Sequence, residues 1–207
     1  MGWSEYASTG SKRMTPFKDF PMTHRLFSIN SRLLLAMAVA LLLSSTAHAV
    51  PEEQFQGAFA QFTQAQTGDS GAIGKAAEAF GGLSSTEPGN PVLMAYAGAA
   101  TTMRATTTWL PWKKMGYAED GLALLDKALA LLTPAHNAVV QNSTPGVLEV
   151  RFVAANTFLA VPGFMNRGAR GVKLLDAVLT SPLLAQAPPG FQNAVRQRAA
   201  QLRAKTP

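Results

Sequence analysis

The chain has no cysteine, and that absence removes disulfides, thiol nucleophiles and thiolate metal sites together. Histidine is scarce: His24, His48 and His136 are the only three, too few for most imidazole-based metal or catalytic sets. Strand patterning is rare as well, because few stretches alternate polar and apolar residues and β-branched runs are short. No apolar run is long enough for a membrane-spanning helix of about 20 residues. The longest, LLLAMAVALLL at 33–43, is roughly half that length.

That run sits in the arrangement an export signal requires. Arg25 and Arg32 precede it, and Ala47-His48-Ala49 follows it as an A-x-A cleavage site. Val50 and Pro51 come next, and proline there stops a helix from running through the cut. Residues 1–49 are therefore expected to be a leader cleaved between Ala49 and Val50. Within it, 1–21 reads as a start-site extension, since Met22 opens a more usual signal. No twin-arginine pair and no lipid-attachment cysteine is present, so the expected product is periplasmic or secreted and untethered.

Cleavage changes the functional argument. His24 and His48 leave, and five basic and two acidic residues go with them, which lowers the formal charge from +6 to +3. That is too mild a balance to signal nucleic acid. Residues 50–207 suffice for one domain.

Helical periodicity runs through this domain. Expected helices cover 51–66, 72–80, 92–106, 117–132, 146–159, 169–179 and 190–204, with turns at Gly81-Gly82 and Pro88-Gly89-Asn90-Pro91. The first carries Phe55, Phe59 and Phe62 on one face; the last carries Phe191, Val195, Ala199 and Leu202. An internal repeat relates two of them: 121–129 (GLALLDKAL) matches 171–179 (GVKLLDAVL) fifty positions on. Each copy follows a small-residue helix, 92–100 and 147–155, so a leucine-rich helix packs closely on a small-residue one in both units. Such hairpins bury their apolar faces by stacking, with the last helix as a cap.

These features resemble the tetratricopeptide-repeat family. Ala76, Phe80 and Pro88 match the tail of its second helix, with Leu83 in place of a small residue. Gly121, Leu125 and Ala128 match again, with Pro134 one position late. The first-helix signature is absent, and the spacing is near fifty instead of thirty-four. The resemblance covers about 54–182 and extends to small exported bacterial proteins of this type. It implies an all-α fold of stacked antiparallel helix hairpins, an α-solenoid with a C-terminal capping helix. It also implies a non-enzymatic module that binds an envelope protein or a peptide segment.

Chemistry-bearing motifs are few. Gly68 to Lys75 is glycine-rich but has the wrong spacing for a phosphate loop, and Ala76 replaces the magnesium-binding hydroxyl. His136 has no evident carboxylate partner and reads as a solvent-exposed loop residue. Asp126 and Asp176 are related by the repeat, which favours a structural pairing over an acid/base pair. Asn142-Ser143-Thr144 has the form of a glycosylation acceptor and is incidental after a bacterial-type signal. The basic tail residues Arg196, Arg198, Arg203 and Lys205 complement the negative end of the last helix dipole. No catalytic residue, metal or cofactor is assigned.

Two surfaces are candidate binding sites. The segment 108–117 holds Trp109, Trp112, Lys113, Lys114 and Tyr117, an aromatic and cationic mixture typical of interfaces. Alternatively its tryptophans fold back as a lid over the domain. The second surface is a groove along the first helices of the repeats, lined by Tyr96, Arg104, Arg151 and Asn156 and suited to a peptide segment or an acidic group. Two further readings compete: an accessory to an envelope enzyme, or a small-ligand carrier with Phe80, Trp109, Trp112 and Phe152 around a cavity. The expected partner is an envelope protein or peptide segment, with no nucleic acid and no membrane span after cleavage.

Overall fold

A computed structural model describes residues 50–139 and 142–204. The expected leader, its Ala49 side of the cleavage site and Lys205 lie outside the described residues. The described chain is all-helical, with seven α-helices and no strand beyond a single bridge between Val139 and Pro145. They are α1 Glu52–Ala65, α2 Ser70–Thr86, α3 Pro91–Met103, α4 Pro111–Ala130, α5 Gly146–Ala160, α6 Gly168–Leu179 and α7 Pro189–Ala204. Among them no helix is long and apolar enough to cross a membrane.

Local chemistry sets several boundaries. Glu52 and Glu53 sit in the first turn of α1, where the helix dipole favours negative charge. Beyond that helix Gly68 takes φ +93°, a conformation that favours glycine. Asp69 caps α2 by accepting from the Ala72 N–H at 2.9 Å. Asn90 caps α3 by accepting from Val92 and Leu93, with Pro91 in the first turn.

Two expected breaks are not breaks. Helix α2 runs through Gly81 and Gly82 to Thr86. Each glycine costs about 1 kcal/mol in a helix interior. Phe80 is fully buried and Leu83 packs on the same core, and burial of such side chains, about 1.5–3 kcal/mol each, outweighs that cost. Pro111 likewise does not merely interrupt: it occupies the first turn of α4, where its missing N–H is not needed. The segment expected to link two helices is thus the beginning of the second.

Helix α3 is the centre of the fold. It packs on α1, α2, α4 and α5, and is buried from Pro91 to Ala100 on every face. Around it Phe55, Phe59, Phe62, Phe80 and Tyr96 form one aromatic cluster, with Tyr96 stacked on Phe80 at 4.8 Å between centroids. A second core joins α5, α6 and α7 through Leu148, Leu175, Val178 and Val195. Of the expected α7 stripe, Val195 and Ala199 are buried, and Phe191 and Leu202 are half-buried against this core.

The repeat glycines lie at close helix approaches. A Cβ on Gly121 would come within 2.5 Å of the Gly98 carbonyl oxygen, and one on Gly171 would lie 2.8 Å from Leu159 Cγ. The repeat aspartate Asp126 bridges α4 to α6, accepting from Arg167 at 2.9 Å and pairing with Arg170. Both arginines also lie over the Phe158 ring. His136 is half-buried instead of exposed. Its Nδ1 accepts from the Thr133 N–H at 2.9 Å and closes a capping box on the turn Pro134–Asn137.

Candidate functional site

A cavity of about 1160 Å³ is lined chiefly by α1, α3, α5 and α7, together with the loop that carries Asn142. Its wall is mostly apolar or uncharged, with Phe59, Phe62, Tyr96 and Phe152 supplying ring surface. Among the described residues of the wall, Glu149 is the one carboxylic acid and Arg198 the one base.

Glu149 sits in the first turn of α5 and is 2% exposed. Its Oε1 accepts from the Tyr96 hydroxyl at 2.7 Å and from Asn142 Nδ2 at 2.9 Å. Asn142 is held in turn by Gln56, whose Nε2 donates to Asn142 Oδ1 at 3.0 Å while also donating to Glu52. Asn142 reaches this position from a left-handed backbone, φ +53°, a conformation asparagine tolerates better than most residues. The chain of polar contacts therefore runs from the surface of α1 to a carboxyl inside the domain.

Burial dominates the electrostatics of this acid. It pushes Glu149 up to about 7, the hydrogen bonds from Tyr96 and Asn142 pull in the opposite direction, and the charge of Glu52 adds to the rise. Tyr96 is raised well above the usual phenol range, by burial first and then by the neighbouring Glu149 charge. Among the described residues Glu149 Oε2 is buried without a hydrogen-bond partner, and so is Arg198 Nε on α7. A carboxyl held at one oxygen and free at the other suits capture of a donor group. Among the described residues no three or more His, Asp or Glu side chains gather as metal ligands would.

The expected groove residues divide. Tyr96 and Asn156 line the cavity; Arg104 and Arg151 do not. Helix geometry, about 100° per residue, gives the reason. From Glu149, seven residues on to Asn156 returns to nearly the same face, whereas two residues to Arg151 turns roughly 200° away. On α3, Met103 is in register with Tyr96 and lines the cavity, while Arg104 is rotated about 80° from it. Arg104 instead lies over the Tyr117 ring at 4.3 Å and donates to its hydroxyl at 3.1 Å.

The aromatic segment is not a lid. Trp109 is 82% exposed and Trp112 68%, with Lys113 and Lys114 exposed beside them on the first turn of α4. Leu110, in extended conformation, and Pro111 lead into that turn, and Tyr117 lies under Arg104. Neither tryptophan lines the cavity, and Phe80 is sealed in the aromatic core, so Phe152 alone of the four expected carrier residues is on the wall. Glu149 went unassigned from sequence. Its signal was present: the lone acid of a mostly apolar helix, on one helical face with Phe152 and Asn156.

No family model matches the chain, no curated protein matches it, and no solved structure matches it.

Proposed function

We propose that the chain is an exported, tetratricopeptide-like helical-repeat module, a binder and not an enzyme, that captures a peptide segment of another envelope protein. The observation that carries this reading is the cavity of about 1160 Å³ along α1, α3, α5 and α7. It exceeds the roughly 300–1,000 Å³ of ordinary small-molecule pockets. Alternate helices supply most of its wall, as the concave face of a stacked array of helix hairpins would. The close approaches at Gly121 and Gly171 support the repeat, since each glycine admits a leucine-rich helix against a small-residue one. Helix α7 packs on α6, which supports reading it as a cap.

Export rests on the leader sequence. The Val50 backbone nitrogen donates to the Glu87 carboxylate, which also accepts from Asn90. In a chain cut after Ala49 that nitrogen becomes an ammonium, and the contact becomes an ion pair. The exposed Trp109 and Trp112 offer a second surface on which the body of a partner can rest.

A small-ligand carrier is the second reading, favoured by the buried carboxyl in an aromatic wall. A photocrosslinking residue at position 156, activated in the native envelope, separates the two. The expected product is a polypeptide adduct whose crosslinked fragment maps, by mass spectrometry, to one segment of one partner. A low-mass adduct with no polypeptide would replace the peptide reading with the carrier.

A further inference from the structure

Glu149 Oε2 and Arg198 Nε are the buried side-chain polar atoms that lack a hydrogen-bond partner among the described residues, and both residues line the same cavity. One atom accepts and the other donates. Buried polar groups are nearly always satisfied, so two open valences of opposite polarity on one wall call for a ligand that meets both. We propose that the cavity binds a dipolar, peptide-like ligand, with its ammonium on Glu149 and its carboxylate or carbonyl on Arg198. The inference rests on the peptide-binding reading above and specifies its chemistry.

The neighbours of each pole fit this role. Glu149 is held at Oε1 by two neutral donors, Tyr96 and Asn142, which fix the carboxyl and leave Oε2 for an incoming N–H. Among the described residues no cation lies in an ion pair with it, and the two ion pairs seen both fall on Asp126. The rings of Phe59, Phe62 and Phe152 line the same wall, and aromatic rings attract an ammonium. Arg198 donates through Nη1 to Gln201 at 3.4 Å, which leaves Nε for an acceptor. A ligand with a cation alone leaves Arg198 unmet, and one with an anion alone leaves Glu149 unmet.

Isothermal titration of the full chain with five probes tests this. Three are ω-amino acids, 4-aminobutanoate, 6-aminohexanoate and 8-aminooctanoate; two are one-ended, hexylamine and hexanoate. At one chain length the dipolar probe should bind at least about tenfold tighter than either one-ended probe, the scale of a charge-assisted hydrogen bond to a buried group. Glu149→Gln should bring that probe down to the level of hexanoate, and Arg198→Gln to the level of hexylamine. Thermal unfolding of both variants checks that they fold. The half-exposed Arg198 site keeps one arm informative if the Glu149 variant does not. Equal binding of dipolar and one-ended probes, no binding of any probe, or a dipolar preference that survives both substitutions would overturn the proposal.

The crosslinking result at position 156 is independent of this series. A polypeptide adduct with a flat probe series removes the dipolar chemistry and leaves peptide capture standing. A dipolar preference without a polypeptide adduct removes peptide capture and identifies a free amino-acid-like ligand.

Discussion

In the α3/α4 pair the two helices approach backbone to backbone at Gly98 and Gly121. A Cβ on Gly121 would meet Thr102 Oγ1, the Gly98 carbonyl oxygen and the Thr102 nitrogen; the hydroxyl can rotate away, but the two backbone atoms cannot move without shifting α3 itself. In the α5/α6 pair the matching glycine, Gly171, faces the side chain of Leu159 at 2.8 Å and the Ala155 carbonyl at 3.2 Å. The two pairs also divide the polar work. Helix α3 contributes a neutral donor, Tyr96, and α5 contributes the acid it binds, Glu149. One sequence pattern therefore supports two different interfaces, a rigid one at the centre and a more adjustable one toward the end of the chain. The cavity forms where their first helices meet.

The sharpest way to break that contrast is to add one methyl group to each glycine. Gly121→Ala should destabilise the fold by about 3 kcal/mol or more, because the clash is with backbone. Gly171→Ala should cost about 1 kcal/mol, since Leu159 can change rotamer and alanine regains some helix propensity. Urea unfolding of both variants measures the difference, and equal losses would erase the distinction between the interfaces.

A second test concerns the acid. The folded-state value of Glu149, about 7, lies above the 4.5 of an unperturbed glutamate, so the native state holds this proton more tightly than the unfolded chain does. The associated stability is complete below about pH 4.5 and is lost as pH rises through about 7. It amounts to about 3 kcal/mol. Burial is the largest cause; Tyr96 on α3 and Asn142 in the loop oppose it, and the charge of Glu52 on α1 adds to it. Glu149→Gln should flatten the fall in urea midpoint between pH 5 and pH 8; an unchanged slope would assign the dependence to another group.

The smallest effect is expected at the bridge between the pairs. Asp126 and its two arginines are each a quarter to almost half exposed, and such pairs contribute at most about 1 kcal/mol in water. Asp126→Asn should lower stability by less than that, and 1 M salt should remove most of the difference. A larger, salt-insensitive loss would make this bridge, and not the glycine contacts, the element that holds the two pairs together.

Much of the architecture was legible in the residues. The Leu and Ala periodicity located all seven helices, Asn90-Pro91 marked a helix start, and the repeat singled out Gly121 and Gly171 before any contact was known. The misreadings have local causes. Gly81 and Gly82 look like a turn until Leu83 is seen packed on the core, and Pro111 looks like a break until it is seen to open α4. The candidate site was only half legible. The repeat pointed to Tyr96, Arg104, Arg151 and Asn156 alike, as residues of its first helices; Tyr96 and Asn156 line the cavity, whereas helical phase turns Arg104 and Arg151 off its wall.

By itself, then, the sequence determined the helical class, the order of the helices and the glycines at which they come close, because these follow from the spacing of residues along one chain. Only the tertiary structure decided that Trp109 and Trp112 face solvent, that Tyr96 and Asn142 converge on Glu149, and that Arg198 shares its cavity. Those residues come from the turn before α4 and its first turn, from α3, from the loop before α5, from α5 and from α7. What brings the cavity residues together is the burial of the helices' apolar faces, a force without direction along the chain, so no spacing in the sequence records it.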